Sequence, residues 1–108
     1  MSENIIYSEI ETINKLYKTK KISPNEVFNI FSKRIKKHNK VLNAFIDIYE
    51  DECSKFSKDL GNIDKNDFNI LTGITVGLKD LIDFKNKYTT AGSKILKNNL
   101  ASTNSKIT

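Results

Sequence analysis

From Gly73 the chain reads Ile-Thr-Val-Gly-Leu and then Lys79-Asp80, an apolar alternation that ends in two adjacent opposite charges. Ile74, Val76 and Leu78 fall on one side of an extended backbone, with Thr75 and Gly77 on the other. That spacing predicts a strand with one buried face. Such a strand cannot stand alone, because its amides need neighbouring strands and its apolar face needs a covering layer. The lysine at its carboxyl end then faces a choice between costly burial as an ammonium and loss of its proton. A neutral lysine can accept a proton, which makes Lys79 the candidate general base of the chain.

Helix signals precede the strand. Ser8-Glu9-Ile10-Glu11 reads as a capping box in which the Ser8 hydroxyl accepts from the Glu11 amide, and Ile10, Ile13, Leu16 and Tyr17 give an apolar face to about Lys20. Ser23-Pro24-Asn25-Glu26 combines a second capping box with proline at the first helical position. Val27, Phe28, Ile30, Phe31 and Ile35 carry that helix to about His38. Ala44 to Ile48 reads as a short strand. A third helix is predicted from about Glu50 to Leu60, with Tyr49, Cys53, Phe56 and Leu60 on one stripe and Gly61 at C′. Residues 61–70 form a polar loop, Ser93 to Leu96 a turn or short helical turn, and the chain from Asn98 onward a loop expected to fray. The order is helix, helix, strand, helix, strand, a chain of mixed α/β composition. An inner strand in such an order leaves apolar edges exposed when its neighbours are absent.

The net charge of +5 raises nucleic acid as a partner, but its make-up argues against it. Seventeen lysines stand against one arginine, Arg34, and arginine is the better tool for bidentate phosphate and base contacts. The clusters Lys18-Thr19-Lys20-Lys21 and Lys33-Arg34-Ile35-Lys36-Lys37 read as solvated helix ends and faces, each near a predicted helix C-terminus. Cys53 is the sole cysteine and lies on an apolar stripe, which predicts a core thiol and a reducing compartment. One histidine, His38, and one cysteine make no zinc site. The N-terminus lacks the pattern of a signal peptide and no apolar run approaches membrane-spanning length, so the expected location is the cytoplasm, with no membrane partner.

The string Leu71-Thr72-Gly73-Ile74-Thr75-Val76-Gly77-Leu78-Lys79-Asp80, followed by Thr89-Thr90-Ala91-Gly92-Ser93, resembles the amidase signature family, which writes this stretch as L-x-G-I-P-V-x-[IVL]-K-D and then T-T-x-G-S. Ser93-Lys94-Ile95-Leu96-Lys97-Asn98 is similar to the S-K-I-L-x-N of the branch formed by the A subunits of glutamyl-tRNA(Gln)/aspartyl-tRNA(Asn) amidotransferases. Thr75 replaces a common proline, Asn86 stands where glycine is frequent, and Asn104-Ser105 occupies the place of an Asp-Ala that opens the next helix. Asn is suited to its position because it tolerates positive φ.

The resemblance implies a mixed sheet wrapped by helices and a Ser–cis-Ser–Lys triad acting on amides, with Lys79 as its general base. It further implies that glutamine is the ammonia donor and that ATP and a mischarged tRNA are co-substrates. The implied partners are the remaining part of the amidase domain and subunits of B and C type, without direct nucleic-acid contact by this segment. The segment itself is expected to bind no cofactor and no metal. The family carries its two serines in a G-G-S-S-G-G-S stretch, whereas the four glycines here (Gly61, Gly73, Gly77, Gly92) include no adjacent pair. No nucleophile is therefore assigned, and residues 1–108 are expected to be the N-terminal segment of a single amidase-type domain that ends before the nucleophile region. Such a segment is a fragment, a truncated reading frame or one piece of a split enzyme. Two further readings stay open, a non-catalytic remnant or interaction module and a stand-alone amidase for small amides.

Overall fold

The computed structural model describes residues 2–108. It divides into two compact units, residues 1–75 and 76–108. Among the described residues the first contains four helices: α1 (Ser2–Ile6), α2 (Ile10–Lys18), α3 (Pro24–Leu42) and α4 (Glu50–Gly61).

Helix α3 begins as its sequence dictates. Pro24 fills the first turn, the Ser23 hydroxyl accepts from the Glu26 amide at 3.2 Å, and the Glu26 carboxylate accepts from the Ser23 amide at 2.8 Å. The exposed Glu26 carboxyl is held below its ordinary range, first by the Ser23 backbone N–H and then by its hydroxyl. The helix runs one turn beyond the expected end near His38 and stops where Asn43 takes a left-handed φ of 53°. The cluster Lys33 to Lys37 consequently lies within the helix rather than at its C-terminus, and Lys40 occupies the last turn.

The expected capping box at Ser8 does not form. Helix α1 has no counterpart among the expected elements, and it places Ser8 at its own C-terminal end: the Ser8 hydroxyl donates to the Asn4 carbonyl at 2.6 Å and its amide to the Ile5 carbonyl at 3.1 Å. Glu9 is then the N-cap of α2, without a side-chain cap. At the end of α4, Gly61 is the last helical residue instead of C′, and Asn62 follows in an ordinary right-handed conformation. Phe56 on the α4 stripe is half exposed, while Leu60 packs on the core.

The core of this unit gathers Ile5, Ile13, Tyr17, Ile22, Val27 and Phe68, with Leu16, Ile30, Phe31, Leu60 and Ile74 packed against it. Helices α1 and α4 both pack on α3. Phe68 comes from the stretch expected to be a plain polar loop. A 3-10 turn at Lys65–Asp67, capped by Asp64, turns it inward to meet Tyr17 edge-on at 6.1 Å between ring centroids. The buried Asn14 is satisfied by donating to the Asn69 carbonyl at 2.8 Å.

The two expected strands are not formed among the described residues. Ala44 to Ile48 is irregular, with a bend at Ile46, and pairs with no strand; the Asn39 side chain takes both backbone groups of Phe45, accepting from its N–H at 2.9 Å and donating to its C=O at 2.8 Å. Ile74 to Leu78 likewise has no regular structure and no ladder, and of its alternating residues only Ile74 packs on the core. Val76 is 75% exposed. The physical reason is the one that makes strands non-local: a ladder exists only where a neighbour supplies the opposite donors and acceptors.

In the second unit the backbone folds on itself through one antiparallel bridge, Tyr88 with Leu100. Around it the Asn86 amide donates to the Ala101 carbonyl at 2.9 Å, the Ala101 amide to the Lys87 carbonyl at 2.9 Å and the Thr89 amide to the Asn99 carbonyl at 3.0 Å. Residues 98–101, expected to fray, are thus the paired edge of this unit, and Ala101 is buried. Among the described residues no helix is long and apolar enough to cross a membrane.

Candidate active site

The segment that precedes Lys79 in the sequence begins at Gly73, which is held within the first unit. Gly73 holds a φ of +77°, open to glycine at little cost, and a Cβ there would come within 3.0 Å of Pro24 and 3.1 Å of the Tyr17 ring. Its carbonyl accepts from the Tyr17 hydroxyl at 2.9 Å, and burial of that phenol pushes its pKa up to about 12. At the other end the chain turns directly after Lys79, whose carbonyl accepts from the Ile82 amide at 3.0 Å. The Lys79 side chain itself is exposed.

Asp80 organises what surrounds this step. One carboxylate oxygen accepts from the Thr90 amide at 2.8 Å and the other from the Thr90 hydroxyl in a short hydrogen bond; the Asp80 backbone carbonyl accepts from the Ala91 amide at 2.9 Å. The Asp80 carboxyl is held below its ordinary range, first by the Thr90 hydroxyl, then by the Thr90 amide, with smaller help from the Gly92 amide and least from the Lys79 charge. The segment it grips is a tight turn in which the Ser93 amide donates to the Thr90 carbonyl at 2.9 Å. Ala91 and Gly92 at its centre have φ of 51° and 71°, the pattern of a type I′ turn.

The Lys-Asp and Thr-Thr-Ala-Gly-Ser strings, ten residues apart at Asp80 and Thr90, therefore meet in one piece of structure. Sequence reasoning names Lys79 and misses Asp80 and Thr90 as a pair; the signal is the presence of a carboxylate beside one string and a hydroxyl in the other. Asn86, in the intervening loop, has the positive φ of 66° expected of it. Two serines of this unit, Ser93 and Ser105, are engaged locally. The Ser93 hydroxyl caps the 3-10 turn Lys94–Leu96 by accepting from the Ile95 amide at 3.3 Å, and the Ser105 hydroxyl lies 2.8 Å from that of Thr108. Cys53 is a partly buried free thiol whose pKa is raised, first by burial and then by the Glu52 charge, so it remains a protonated packing group.

The family model described as Amidase matches residues 26–108. Three of the similar proteins are each named as the A subunit of glutamyl-tRNA(Gln) amidotransferase. That of Streptococcus pneumoniae is 36% identical over 91 residues, 82% of this chain and 18% of that protein. That of Listeria monocytogenes is 35% identical over 92 residues, 85% of this chain and 19% of that protein. That of Shouchella clausii is 30% identical over 86 residues, 80% of this chain and 18% of that protein. The chain thus spans less than a fifth of the length of these relatives. No solved structure matches it.

Proposed function

The chain belongs to the amidase family, and we propose that it contributes Lys79 as the general base of a Ser–cis-Ser–Lys site that cleaves the side-chain amide of glutamine. The observation that carries this reading is the joining of the Lys79-Asp80 step to the Thr90–Ser93 turn through the Asp80 carboxylate, within the stretch that matches the family. In this reading a neutral Lys79 takes a proton through a bridging serine, a second serine attacks the amide carbon, and ammonia leaves as the acyl-enzyme forms. Neither serine is among residues 1–108, so both belong to the remaining part of the amidase domain.

The released ammonia serves transamidation of a mischarged tRNA in the cytoplasm, with ATP as co-substrate and subunits of B and C type as partners. The names of the relatives support this over a stand-alone amidase. In the assembled domain Ala44–Ile48 and Ile74–Leu78 become strands of a mixed sheet. Support for that comes from an exposed apolar residue within each segment, Ile46 at 77% and Val76 at 75%.

Replacing the matching N-terminal part of the Listeria relative by this chain tests the reading. A chimera that releases ammonia from glutamine supports it, provided the 108-residue chain alone releases none above a Lys79→Ala control. A folded but inactive chimera favours the non-catalytic interaction module.

A further inference from the structure

A lysine meant to act as a base has a chemical problem when a carboxylate is the next residue. An unclaimed carboxylate beside an amine stabilises the ammonium and withdraws the lone pair from use. In this chain both Asp80 oxygens are claimed by other groups. The Thr90 amide and the Thr90 hydroxyl each donate to a different oxygen, and the Ala91 amide holds the Asp80 carbonyl. The donors come from a turn whose geometry is fixed by Ala91 and Gly92 in the left-handed region, so they stay aimed at Asp80.

We propose that Thr90 is a positioning residue for Lys79: its hydroxyl and amide occupy the Asp80 carboxylate and keep that charge from pairing with the neighbouring amine. This rests on the reading of Lys79 as a neutral base. Thr90 touches no reacting atom in this scheme; it acts through Asp80. The hydroxyl is the part a side-chain change can remove, because the amide donor belongs to the backbone. Serine keeps the hydroxyl, whereas valine keeps the shape without it. Of the titratable side chains, Lys79 acts on the Asp80 charge.

The experiment is competitive acylation of the 108-residue chain with limiting acetic anhydride at neutral pH, read by peptide mass spectrometry. Only the neutral amine is acylated, so the labelling of Lys79 relative to Lys85 reports how much of its lone pair is free. Thr90→Val is expected to lower that ratio by about two- to fivefold, the range over which an exposed ion pair acts. Thr90→Ser is expected to restore it, and Asp80→Asn to leave it within about 1.5-fold, because the carboxylate removed is directed at Thr90 and the Lys79 charge is the weakest of the groups acting on it. Amide proton spectra of residues 76–108 show whether each variant keeps the turn. A severalfold rise in Lys79 labelling on Asp80→Asn would mean that the carboxylate pairs with the amine, and would overturn the proposal. Labelling of Thr90→Val equal to that of the unsubstituted chain would overturn it as well. No amide substrate is used, so an inactive chimera removes the amidase reading of Lys79 without altering these ratios, and the two failures are told apart.

Discussion

The Tyr17 hydroxyl donates to the Gly73 carbonyl at 2.9 Å, across 56 positions of sequence. A residue of α2 thereby ties down Gly73 within the first unit. The bond is placed by packing: Tyr17 is fully buried, wedged edge-on against Phe68, and its ring lies against the bare Cα of Gly73.

This bond sets an alkaline limit. The Tyr17 phenol has a folded pKa of about 12 against an ordinary 10.0, so its contribution is fully present below pH 10 and is lost as pH rises toward 12. Tyr17→Phe keeps the packing but leaves the carbonyl unpaired, at an expected cost of about 1–2 kcal/mol in urea unfolding near neutral pH. Across the alkaline window, stability should fall more steeply for the unsubstituted chain than for Tyr17→Phe. Equal slopes would show that the phenol is not the titrating group responsible.

Gly73→Ala should be among the most damaging single changes. It combines a left-handed backbone with a Cβ that meets Pro24 at 3.0 Å and Tyr17 at 3.1 Å. A loss of about 2–3 kcal/mol in urea unfolding is expected from conformation and crowding together.

Much of this architecture is legible in the sequence, and what escapes has a common cause. The Ser23-Pro24-Asn25-Glu26 start of α3 is local chemistry, complete within four residues, and it forms as expected. The Ser8 box uses the same residue types and fails because α1, a five-residue helix with little periodicity to betray it, claims the serine first. Phe68 looks like a loop residue because its burial depends on Tyr17, far away in sequence. The expected strands at Ala44–Ile48 and Ile74–Leu78 rest on alternation, which specifies a face but not a neighbour. At the candidate site, Lys79 is visible as the end of a pattern. The grip of Asp80 on Thr90 is not, since only a turn with two left-handed residues brings the two strings together.

That turn carries a conformational cost that can be relieved. Ala91 sits at φ 51°, a region disfavoured for a residue with a Cβ. Ala91→Gly should stabilise the turn by about 1 kcal/mol, and Ala91→Asn by less. Amide exchange of Ser93, whose N–H closes the turn, should slow accordingly.

Acid should loosen the clasp. The Asp80 carboxyl is held below its ordinary 3.8 by Thr90, so the stability it contributes is present above that value and lost as pH falls through the depressed one. The Thr90 amide resonance should report the titration. In Asp80→Asn that acid-side transition should vanish.

The most direct test of the central claim is the pH–rate profile of glutamine cleavage by the chimera, beside Lys79→Ala and Lys79→Arg. A lysine acting as a neutral base requires that both substitutions nearly abolish ammonia release, because arginine stays protonated at any working pH and cannot accept the serine proton. It requires as well that the unsubstituted rate fall with acidification as the amine takes up a proton. Retention of most of the activity by Lys79→Arg would contradict the account, leaving Lys79 a fixed positive charge and its role as a base untenable.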